Sequence, residues 1–523
     1  MSPLSFLTRV FRPLSGVQSG TRPSFRRRTR LFFLVAAGAL AVFFLGLVGQ
    51  GYLGAGVRQK NVLLIVVDAL RADRLGCYGY TRVVNGQKVS LTPNIDRLAE
   101  KGALFENCVS QSNWTPTSMA SMLYSVNPTV RSLSHSYEYL GEAGMYHCLF
   151  ADVQKCYLEN DYDRVAVQSN PHLLGGTFTS MFDHIVNVVP HPFRESDYQL
   201  FGKEVMHGDA AAVNLHAYSA VKSAARNNRS FILYLHYMDV HEPYPWRDEY
   251  RSLFPDGAKG TEDFGNLRLE VGKKYYEFGA TGKYSGEYAE RLQRLVDDYD
   301  ASLMYLDRRV GELLNFLADR KLFGNTLIIF AADHGQEFGE HGNIGHCTDF
   351  HHEQARVPLI CVGGAMPAGA RVKSFVRNID IIPTIEGYME FYPKCDGENL
   401  LPAVELAAKG TVAPNREVFA CSDYPSNLTP SLMMKMLISP ELTKYILTLD
   451  DKGKVVREEL YDLVADPDER RDLSAARPRV LDAARARLDE LHLRPATGQT
   501  RTSRARVPTP IIRERLRSIG YLQ

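Results

Sequence analysis

The sequence predicts an α/β fold in which a mainly parallel sheet is flanked by helices. Three apolar runs, residues 61–68, 231–236 and 326–333, have the length of strands, and the first and third end in an aspartate. Such continuous apolar strands are typical of parallel sheets that are covered on both faces. Helical periodicity fills the intervening chain over residues 94–101, 118–124 and 287–318. Alternating strands and helices favour this architecture.

The N-terminal sequence predicts one transmembrane helix. Residues 1–30 contain seven arginines and no acidic residue, and residues 31–57 form an uncharged, mostly apolar run. About 20 apolar residues suffice to cross a bilayer, and a basic flank stays on the cytoplasmic side. We therefore expect a cytoplasmic tail over 1–30, an anchor over 31–54, and a body in the periplasm or outside the cell. A cleaved signal peptide is the alternative, because Ala55 lies among glycines that suit a cleavage site.

The overall composition excludes several classes of protein. Hydrophobic residues make up 45% of the chain and charged residues 23%, which are ordinary values for a globular protein and rule out a disordered, collagen-like or multi-span membrane chain. The net charge of +1 gives no reason to expect nucleic-acid binding. Eight cysteines permit disulfides in an exported protein, but their spacing does not fix a pairing, and buried free thiols are an equal alternative.

The pattern changes near residue 396. Short strand-like pieces are followed by a charged helix over residues 477–493 and by a polar, basic end. The pieces cover residues 417–420, 432–438 and 445–449. We therefore expect a catalytic α/β domain over residues 58–395 and a smaller C-terminal α+β subdomain with a basic extension over 396–523.

Polar residues follow the predicted strands directly. Asp68 and Asp333 are expected at the carboxyl edge of the sheet, where open α/β sheets bind ligands, although each is equally explained as a helix N-cap. Asp333 and His334 together offer the oxygen and nitrogen ligands of a divalent metal site. His241 follows the second strand, and five of the 15 histidines lie between residues 334 and 352. The clustering favours a site at this edge.

A run of hydroxyl residues, 112–121, begins where a helix is predicted. A threonine or serine at a helix N-terminus is usually only a cap. The same position also suits phosphate or sulfate, since free backbone N–H groups and the helix dipole favour anions there. A metal ion beside such a hydroxyl lowers its pKa and makes it a nucleophile.

Taken in order, these segments resemble the alkaline phosphatase/sulfatase superfamily, and in particular its sulfatase-like members. The matching segments are residues 67–79, 92–102, 114–123, 239–244, 332–342, 356–360, 378–384, 459–467 and 516–521. The resemblance implies an alkaline-phosphatase-like fold and a metal-dependent hydrolase or phosphotransferase of ester substrates.

The resemblance also assigns residues to roles. One divalent metal ion would be held by Asp68, Thr115, Asp333 and His334. Thr115 would be the nucleophile. The reacting group would be bound, or the leaving group protonated, by Arg71, His241 and His346. This ligand set favours Zn or Mn, whereas Ca or Mg, which remain possible, prefer all-oxygen shells.

Three departures from the sulfatase pattern bear on function. Sulfatases carry Cys or Ser in a C/S-x-P-x-R motif, where it is oxidised to formylglycine, but here Thr115 occupies that position and Met119 that of the arginine. Ala69 replaces the second aspartate of the first metal motif, and His346 lies about where many sulfatases have lysine. Threonine is similar to the choice of envelope phosphoethanolamine and phosphoglycerol transferases.

The register of the nucleophile segment leaves alternatives open. Pro116 follows Thr115 directly, whereas the family usually places one residue between nucleophile and proline. Thr117 and Ser118 are therefore alternative nucleophiles.

The expected function is a membrane-anchored, exported hydrolase or transferase of phosphate esters, with sulfate esters as a further option. An envelope lipid or polysaccharide is a substrate type that fits the anchor, and no nucleic-acid partner is expected. The alternatives are a true sulfuric ester hydrolase and a catalytically degenerate binding protein on the same fold.

Overall fold

The computed structural model describes the chain from residue 60 to 493 with gaps. The described residues are 60–128, 162–170, 173, 178, 181–188, 209–245, 247–254, 264–273, 284, 286–364, 366–390, 395–424 and 432–493. The predicted cytoplasmic tail, the predicted anchor and the basic C-terminal extension lie outside these residues. Within them, no helix combines the length and the apolar character needed to cross a membrane.

The described strands and helices alternate over most of the chain. The strands are Asn61–Val67 (β1), Arg82–Val84 (β2), Gln87–Val89 (β3), Ala103–Val109 (β4), Tyr162–Gln168 (β5), His184–Asn187 (β6), Ser230–Tyr237 (β7), Thr326–Ala332 (β8), Glu337–Phe338 (β9), Ile344–Gly345 (β10), Arg356–Val362 (β11), Ala370–Arg377 (β12), Val418–Tyr424 (β13), Leu432–Ile438 (β14), Thr443–Leu449 (β15) and Val455–Asp462 (β16). The α-helices are Pro93–Glu100 (α1), Thr115–Tyr124 (α2), Ala210–Arg226 (α3), Asp248–Arg251 (α4), Phe264–Lys273 (α5), Glu287–Asp319 (α6), His352–Ala355 (α7), Ile381–Tyr388 (α8), Leu401–Ala408 (α9) and Pro478–Leu493 (α10).

The central sheet has eight strands in the order β12-β4-β11-β8-β1-β7-β5-β6. Every neighbouring pair is parallel except the two pairs that include β11, which runs antiparallel to both β4 and β8. The predicted mainly parallel α/β sheet is therefore confirmed. Its three predicted strands correspond to β1, β7 and β8.

Strand β1 lies in the middle of the sheet and fixes the level at which its neighbours end. All of its residues are buried, because β7 and β8 flank it and helices cover the sheet. Val67 pairs with Ala332 of β8 on one side and with Tyr237 of β7 on the other. The three strands therefore end together, and the residues that follow them enter the same space above the sheet.

The C-terminal part forms a four-stranded antiparallel sheet in the order β13-β14-β15-β16. One face packs on α10, with Leu488 of that helix buried against Tyr445 and Leu460. Residues of the other face join a core with Phe350 and Phe375 of the preceding part of the chain. The predicted strand-like pieces and the predicted charged helix lie at these positions, whereas β16 had not been predicted.

The described cysteines carry free thiols. These residues are Cys77, Cys108, Cys347, Cys361, Cys395 and Cys421. Cys148 and Cys156 lie outside the described residues. Four of the six are buried, whereas Cys77 and Cys395 are half-buried, so the described residues agree with mostly buried free thiols.

Candidate active site

Two carboxylates meet above the middle of the central sheet. Asp68 follows β1 and Asp333 follows β8, and both are completely buried. Oδ1 of Asp333 accepts hydrogen bonds from the backbone N–H of Ala69, at 3.2 Å, and of His334, at 2.8 Å. The Asp333 side chain is therefore bound to the turn that follows β1, next to Asp68. The structure thus brings together the two strand-end aspartates that the sequence singled out.

One oxygen of each aspartate lacks a hydrogen-bond partner in the described structure. These atoms are Oδ1 of Asp68 and Oδ2 of Asp333. They lie 3.7 Å and 3.6 Å from Nε2 of His334. The Thr115 hydroxyl lies 3.1 Å from the same nitrogen. A buried carboxylate oxygen without a partner is costly, so the arrangement calls for a positive charge between these atoms.

The four groups fit a divalent cation. A tetrahedral ion with ligands at about 2.0–2.2 Å separates them by roughly 3.3–3.6 Å, close to the distances of Asp68, Asp333 and Thr115 from His334 Nε2. The His334 Nδ1–H donates to the carbonyl of Gly335 at 2.9 Å, which leaves the Nε2 lone pair facing the other three groups. Carboxylate, hydroxyl and imidazole are all ligands of divalent metals.

The pKa shifts of the two aspartates also favour a cation between them. Burial acts to raise the pKa of Asp68, but the nearby His241, His236 and His334 hold it well below its usual range. Burial and the negative charge of Asp68 raise the pKa of Asp333. The ionised form of Asp68 is thus stabilised and that of Asp333 is destabilised. A cation between them would stabilise the ionised form of both.

The second oxygen of Asp68 is held by two residues that the sequence analysis missed. Oδ2 accepts from Nδ2 of Asn170 at 2.5 Å and faces Nε2 of His236 at 3.1 Å. Nδ1 of His236 in turn lies 2.6 Å from the Tyr234 hydroxyl. Asp68, His236 and Asp333 also form a buried group whose ligand atoms lie within 4.8 Å of one another. A polar residue near the end of apolar strand β7 was the available signal for His236, whereas Asn170 lies in no recognisable motif.

Two further histidines line the same space. Nε2 of His241 lies 3.9 Å from Oδ1 of Asp68. The His346 ring stacks on that of His334 with centroids 4.5 Å apart, and its centroid lies 5.1 Å from that of His241. Burial lowers the pKa of His346 to about 4. Burial acts in the same direction on His241, but Glu242 and Asp68 outweigh it and raise the pKa of His241.

Thr115 is the first residue of α2. The residue before it, Trp114, supplies no side-chain cap, and the first N–H groups of a helix have no partner inside the helix. The positive end of the helix dipole therefore lies beside the aspartate pair. Thr117 Oγ1 is buried with no hydrogen-bond partner in the described structure, and Ser118 Oγ donates to the Asp333 carbonyl at 2.6 Å. Among these three hydroxyls, only that of Thr115 faces His334.

Arg71 does not join this group in the described structure. Its guanidinium binds both carboxylate oxygens of Asp73, at 2.9 and 2.7 Å, and an oxygen of Glu340 at 2.7 Å. Its charge is therefore already matched by two carboxylates. The expectation that Arg71 contacts the reacting group is not supported by these contacts.

Only two of the five clustered histidines contribute to the site. His341 and His351 stack on each other with centroids 3.7 Å apart and pair with Glu353 and Asp349. The backbone N–H of His352 donates to Glu469 at 2.7 Å. These three histidines connect the loop to its surroundings rather than to the aspartate pair.

Comparisons with known proteins find related sequences. A family model described as sulfatase matches residues 60–391. Iduronate 2-sulfatase of Mus musculus is 26% identical over 443 residues, which are 70% of this chain and 78% of that protein.

Solved structures show the same fold. The phosphonate monoester hydrolase of Agrobacterium radiobacter superposes with a TM-score of 0.59 at 18% identity, covering 83% of this chain and 96% of that one. A protein solved in complex with its substrate D-glucosamine-2-N,6-O-disulfate gives a TM-score of 0.61 at 19% identity, covering 83% and 97%.

Replacement of Asn170 tests the metal-site geometry. Asn170→Ala removes a donor that orients Asp68, and loss of such an outer partner typically weakens metal binding about 10- to 100-fold. Calorimetric titration with Zn²⁺ or Mn²⁺ measures the change. Asn214→Ala is the matched control, because Asn214 is a buried, hydrogen-bonded asparagine elsewhere in the fold. Equal losses in both variants would contradict the assignment.

Proposed function

Since the chain belongs to the sulfatase family of the alkaline phosphatase superfamily, whose members are metal-dependent ester hydrolases, we propose that it cleaves or transfers phosphate esters with Thr115 as nucleophile. One observation carries the proposal. The Thr115 hydroxyl lies 3.1 Å from His334 Nε2, beside two buried carboxylate oxygens without hydrogen-bond partners. Threonine is not a formylglycine precursor, so a direct hydroxyl nucleophile is the chemistry that fits this residue.

The metal ligands in this proposal are Asp68, Thr115, Asp333 and His334. A bound divalent ion supplies Lewis-acid chemistry, lowering the pKa of a hydroxyl and offsetting negative charge on the transferring group. The imidazole among the ligands favours Zn²⁺ or Mn²⁺, since Ca²⁺ and Mg²⁺ prefer oxygen ligands.

The residues divide the reaction between them. Thr115 loses its hydroxyl proton to solvent and its Oγ1 attacks phosphorus, so that an Oγ1–P bond forms and the P–O bond to the leaving alcohol breaks. His241, whose raised pKa favours the protonated form, is placed to protonate the departing oxygen, and His346 lines the same space. The first N–H groups of α2 are positioned to bind non-bridging oxygens. Water, or an acceptor hydroxyl or amine, then attacks the phosphothreonine and releases Thr115.

A sulfuric ester hydrolase is the second candidate. Its support is the 26% identity to iduronate 2-sulfatase over 443 residues, and the reacting groups share tetrahedral anionic geometry. The sequence at position 115 opposes it. A degenerate binding protein is disfavoured because four possible metal ligands, Asp68, Thr115, Asp333 and His334, still lie together although Ala69 replaces the second aspartate.

We also propose that a single helix over residues 31–54 anchors the enzyme, with residues 1–30 in the cytoplasm. The catalytic domain (58–395) and the C-terminal subdomain (396–523) would then lie in the periplasm or outside the cell. An envelope lipid or polysaccharide is the proposed substrate type. The seven arginines before the apolar run support this orientation. In this proposal residues 58–523 are exported. No nucleic-acid partner is proposed.

Substitution of Thr115 tests the nucleophile. Thr115→Ala should lower kcat by on the order of 10³-fold or more, because removal of a nucleophile abolishes the covalent route. Thr115→Ser keeps a hydroxyl and should retain part of the activity. Thermal unfolding measured by circular dichroism serves as the control for an intact fold, because Thr115 is itself a proposed metal ligand. A fully active Thr115→Ala enzyme would rule out this role.

A substrate panel separates phosphate from sulfate chemistry. Residues 58–523 are assayed with 4-nitrophenyl phosphate, bis(4-nitrophenyl) phosphate and 4-nitrophenyl sulfate in the presence of Zn²⁺, Mn²⁺, Mg²⁺ or Ca²⁺. We expect hydrolysis of a phosphate ester, and a phosphorylated Thr115 in the intact mass after a short pulse. Preferential hydrolysis of the sulfate ester would instead establish the second candidate.

Membrane fractionation tests the anchor. The full-length chain should stay in the membrane pellet after an alkaline carbonate wash, because about 20 apolar residues insert stably in a bilayer. A chain lacking residues 1–57 should be released to the soluble fraction. Release of the full-length chain, or removal of its first 55 residues in the mature protein, would contradict an uncleaved anchor.

A further inference from the structure

Three polar side chains gather around the backbone carbonyl of Asp333. Ser118 Oγ lies 2.6 Å from this carbonyl oxygen, and Ser110 Oγ also contacts it. Nδ2 of Asn378 lies 2.9 Å from Ser118 Oγ and 3.1 Å from Ser110 Oγ. All four residues are completely buried. The proposed reaction uses none of these three side chains.

The central sheet brings Ser110 and Asn378 together in the same way as the two aspartates. Ser110 follows β4 and Asn378 follows β12, and these strands are parallel neighbours. Val109 pairs with Arg377, so the two strands end at the same level. The backbone N–H of Gln111 donates to Oδ1 of Asn378 at 3.3 Å, which leaves Nδ2 turned towards the serines.

The hydrogen bonds of this cluster fix the direction of the Ser118 hydroxyl. An amide nitrogen carries two protons and accepts none, so Asn378 donates one proton to each serine oxygen. Ser110 Oγ also accepts from the backbone N–H of Ser112 at 3.3 Å, so both of its lone pairs are occupied. Although the two serine oxygens lie 3.0 Å apart, Ser118 is therefore left with the Asp333 carbonyl as its acceptor.

Ser118 and Thr115 lie on the same face of α2, because residues three apart on a helix are neighbours. The Thr115 hydroxyl faces Nε2 of His334 at 3.1 Å, and the Ser118 hydroxyl binds the carbonyl of the preceding residue, Asp333. The Ser118 contact therefore ties the helix that carries the reacting hydroxyl to the segment that carries two of the proposed metal ligands.

We propose that Ser118, held by Asn378, is a positioning residue that fixes the distance between the nucleophile Thr115 and the metal ligands that follow β8. The inference rests on the proposed ester cleavage and deepens it. The carboxylate of Asp333 does not depend on this contact, since its Oδ1 is held by two backbone N–H groups. Loss of the Ser118 hydroxyl should therefore displace α2, and Thr115 with it, while the other ligands stay in place.

Single-turnover kinetics on the metal-loaded enzyme test this role. Ser118→Ala should lower the maximal rate constant for release of 4-nitrophenolate from 4-nitrophenyl phosphate about 10- to 100-fold, because a displacement of the reacting group by roughly 1 Å can have an effect of this size. The enzyme concentration that gives half of the maximal rate should change little, since the hydroxyl of Ser118 does not touch the substrate.

Ser121→Ala is the matched control. Ser121 lies nearly one turn further along the same helix, and its buried Oγ has no hydrogen-bond partner in the described structure. The substitution therefore breaks no hydrogen bond and should leave the rate constant within about twofold of the wild-type value.

Asn378→Ala tests the other half of the pair. It removes the donors to both serines and should lower the same rate constant in the same range, whereas Asn214→Ala, which removes a buried and hydrogen-bonded asparagine elsewhere, should not. This variant carries the measurement where Ser118→Ala does not fold.

Calorimetric titration with Zn²⁺ separates a displaced nucleophile from a damaged fold. Ser118→Ala should still bind one Zn²⁺ per chain, with a smaller loss of affinity than Asn170→Ala, because the other three ligands keep their contacts. A rate that falls only in proportion to the Zn²⁺ bound would show a structural role and overturn the proposal. So would an unchanged rate constant in Ser118→Ala, or a loss of affinity as large as that of Asn170→Ala, which would mean that Ser118 orients a metal ligand instead.

The outcomes also separate this proposal from the proposed function. Phosphorylation of Thr115 that is equally fast in Ser118→Ala and Asn378→Ala leaves the function standing and removes the positioning role. Phosphorylation of Ser118 in place of Thr115 removes both, as does an enzyme that is inactive towards every phosphate ester.

Discussion

The burial of two carboxylates side by side is the constraint on which the rest of the site depends. Asp68 and Asp333 follow neighbouring strands that end at the same level, so the register of the sheet forces them together in a region without solvent. One oxygen of each carboxylate lies within 4.8 Å of the other. Like charges so close together in a low-dielectric interior repel strongly unless positive charge or hydrogen-bond donors offset them. The surrounding histidines and the α2 N-terminus supply part of this compensation, and the proposed divalent cation would supply the rest.

The departures from the sulfatase pattern fit together around Asp68. Where the family has a second aspartate, this chain has Ala69, and Asp68 is held instead by Asn170 and His236. Met119, at the position of the family's arginine, lies with its sulfur 4.0 Å from the Tyr234 hydroxyl that contacts His236. The absence of the second aspartate and of the arginine is thus accompanied by a hydrogen-bonded network that orients Asp68. Loss of such outer partners typically lowers metal affinity about 10- to 100-fold.

Side chains of the C-terminal sheet contact residues 333–355, the loop that carries His334 and His346. Burial and the adjacent Asp349 raise the pKa of Glu337, so these two carboxyl groups favour sharing a proton at the base of the loop. His351 extends this contact to the Tyr461 hydroxyl of β16 at 3.2 Å. Farther along, Lys444 of β15 forms a fully buried ion pair with Glu469. A buried pair is costly to break, so the C-terminal strands contribute to the position of the catalytic loop.

The sequence by itself was enough to predict the parallel sheet, because three apolar runs have the length and composition of interior strands. It also predicted that Asp68, Asp333 and His334 lie at one edge, although a helix N-cap explained each aspartate equally well. It did not determine the other partners of Asp68, since Asn170 is separated from it by 102 residues and belongs to no motif. Nor did it place Arg71, whose charge is taken by Asp73 and Glu340. Strand ends are set by local patterns of hydrophobicity, whereas the direction of each polar side chain depends on which distant groups share its space, and only the tertiary structure decides that.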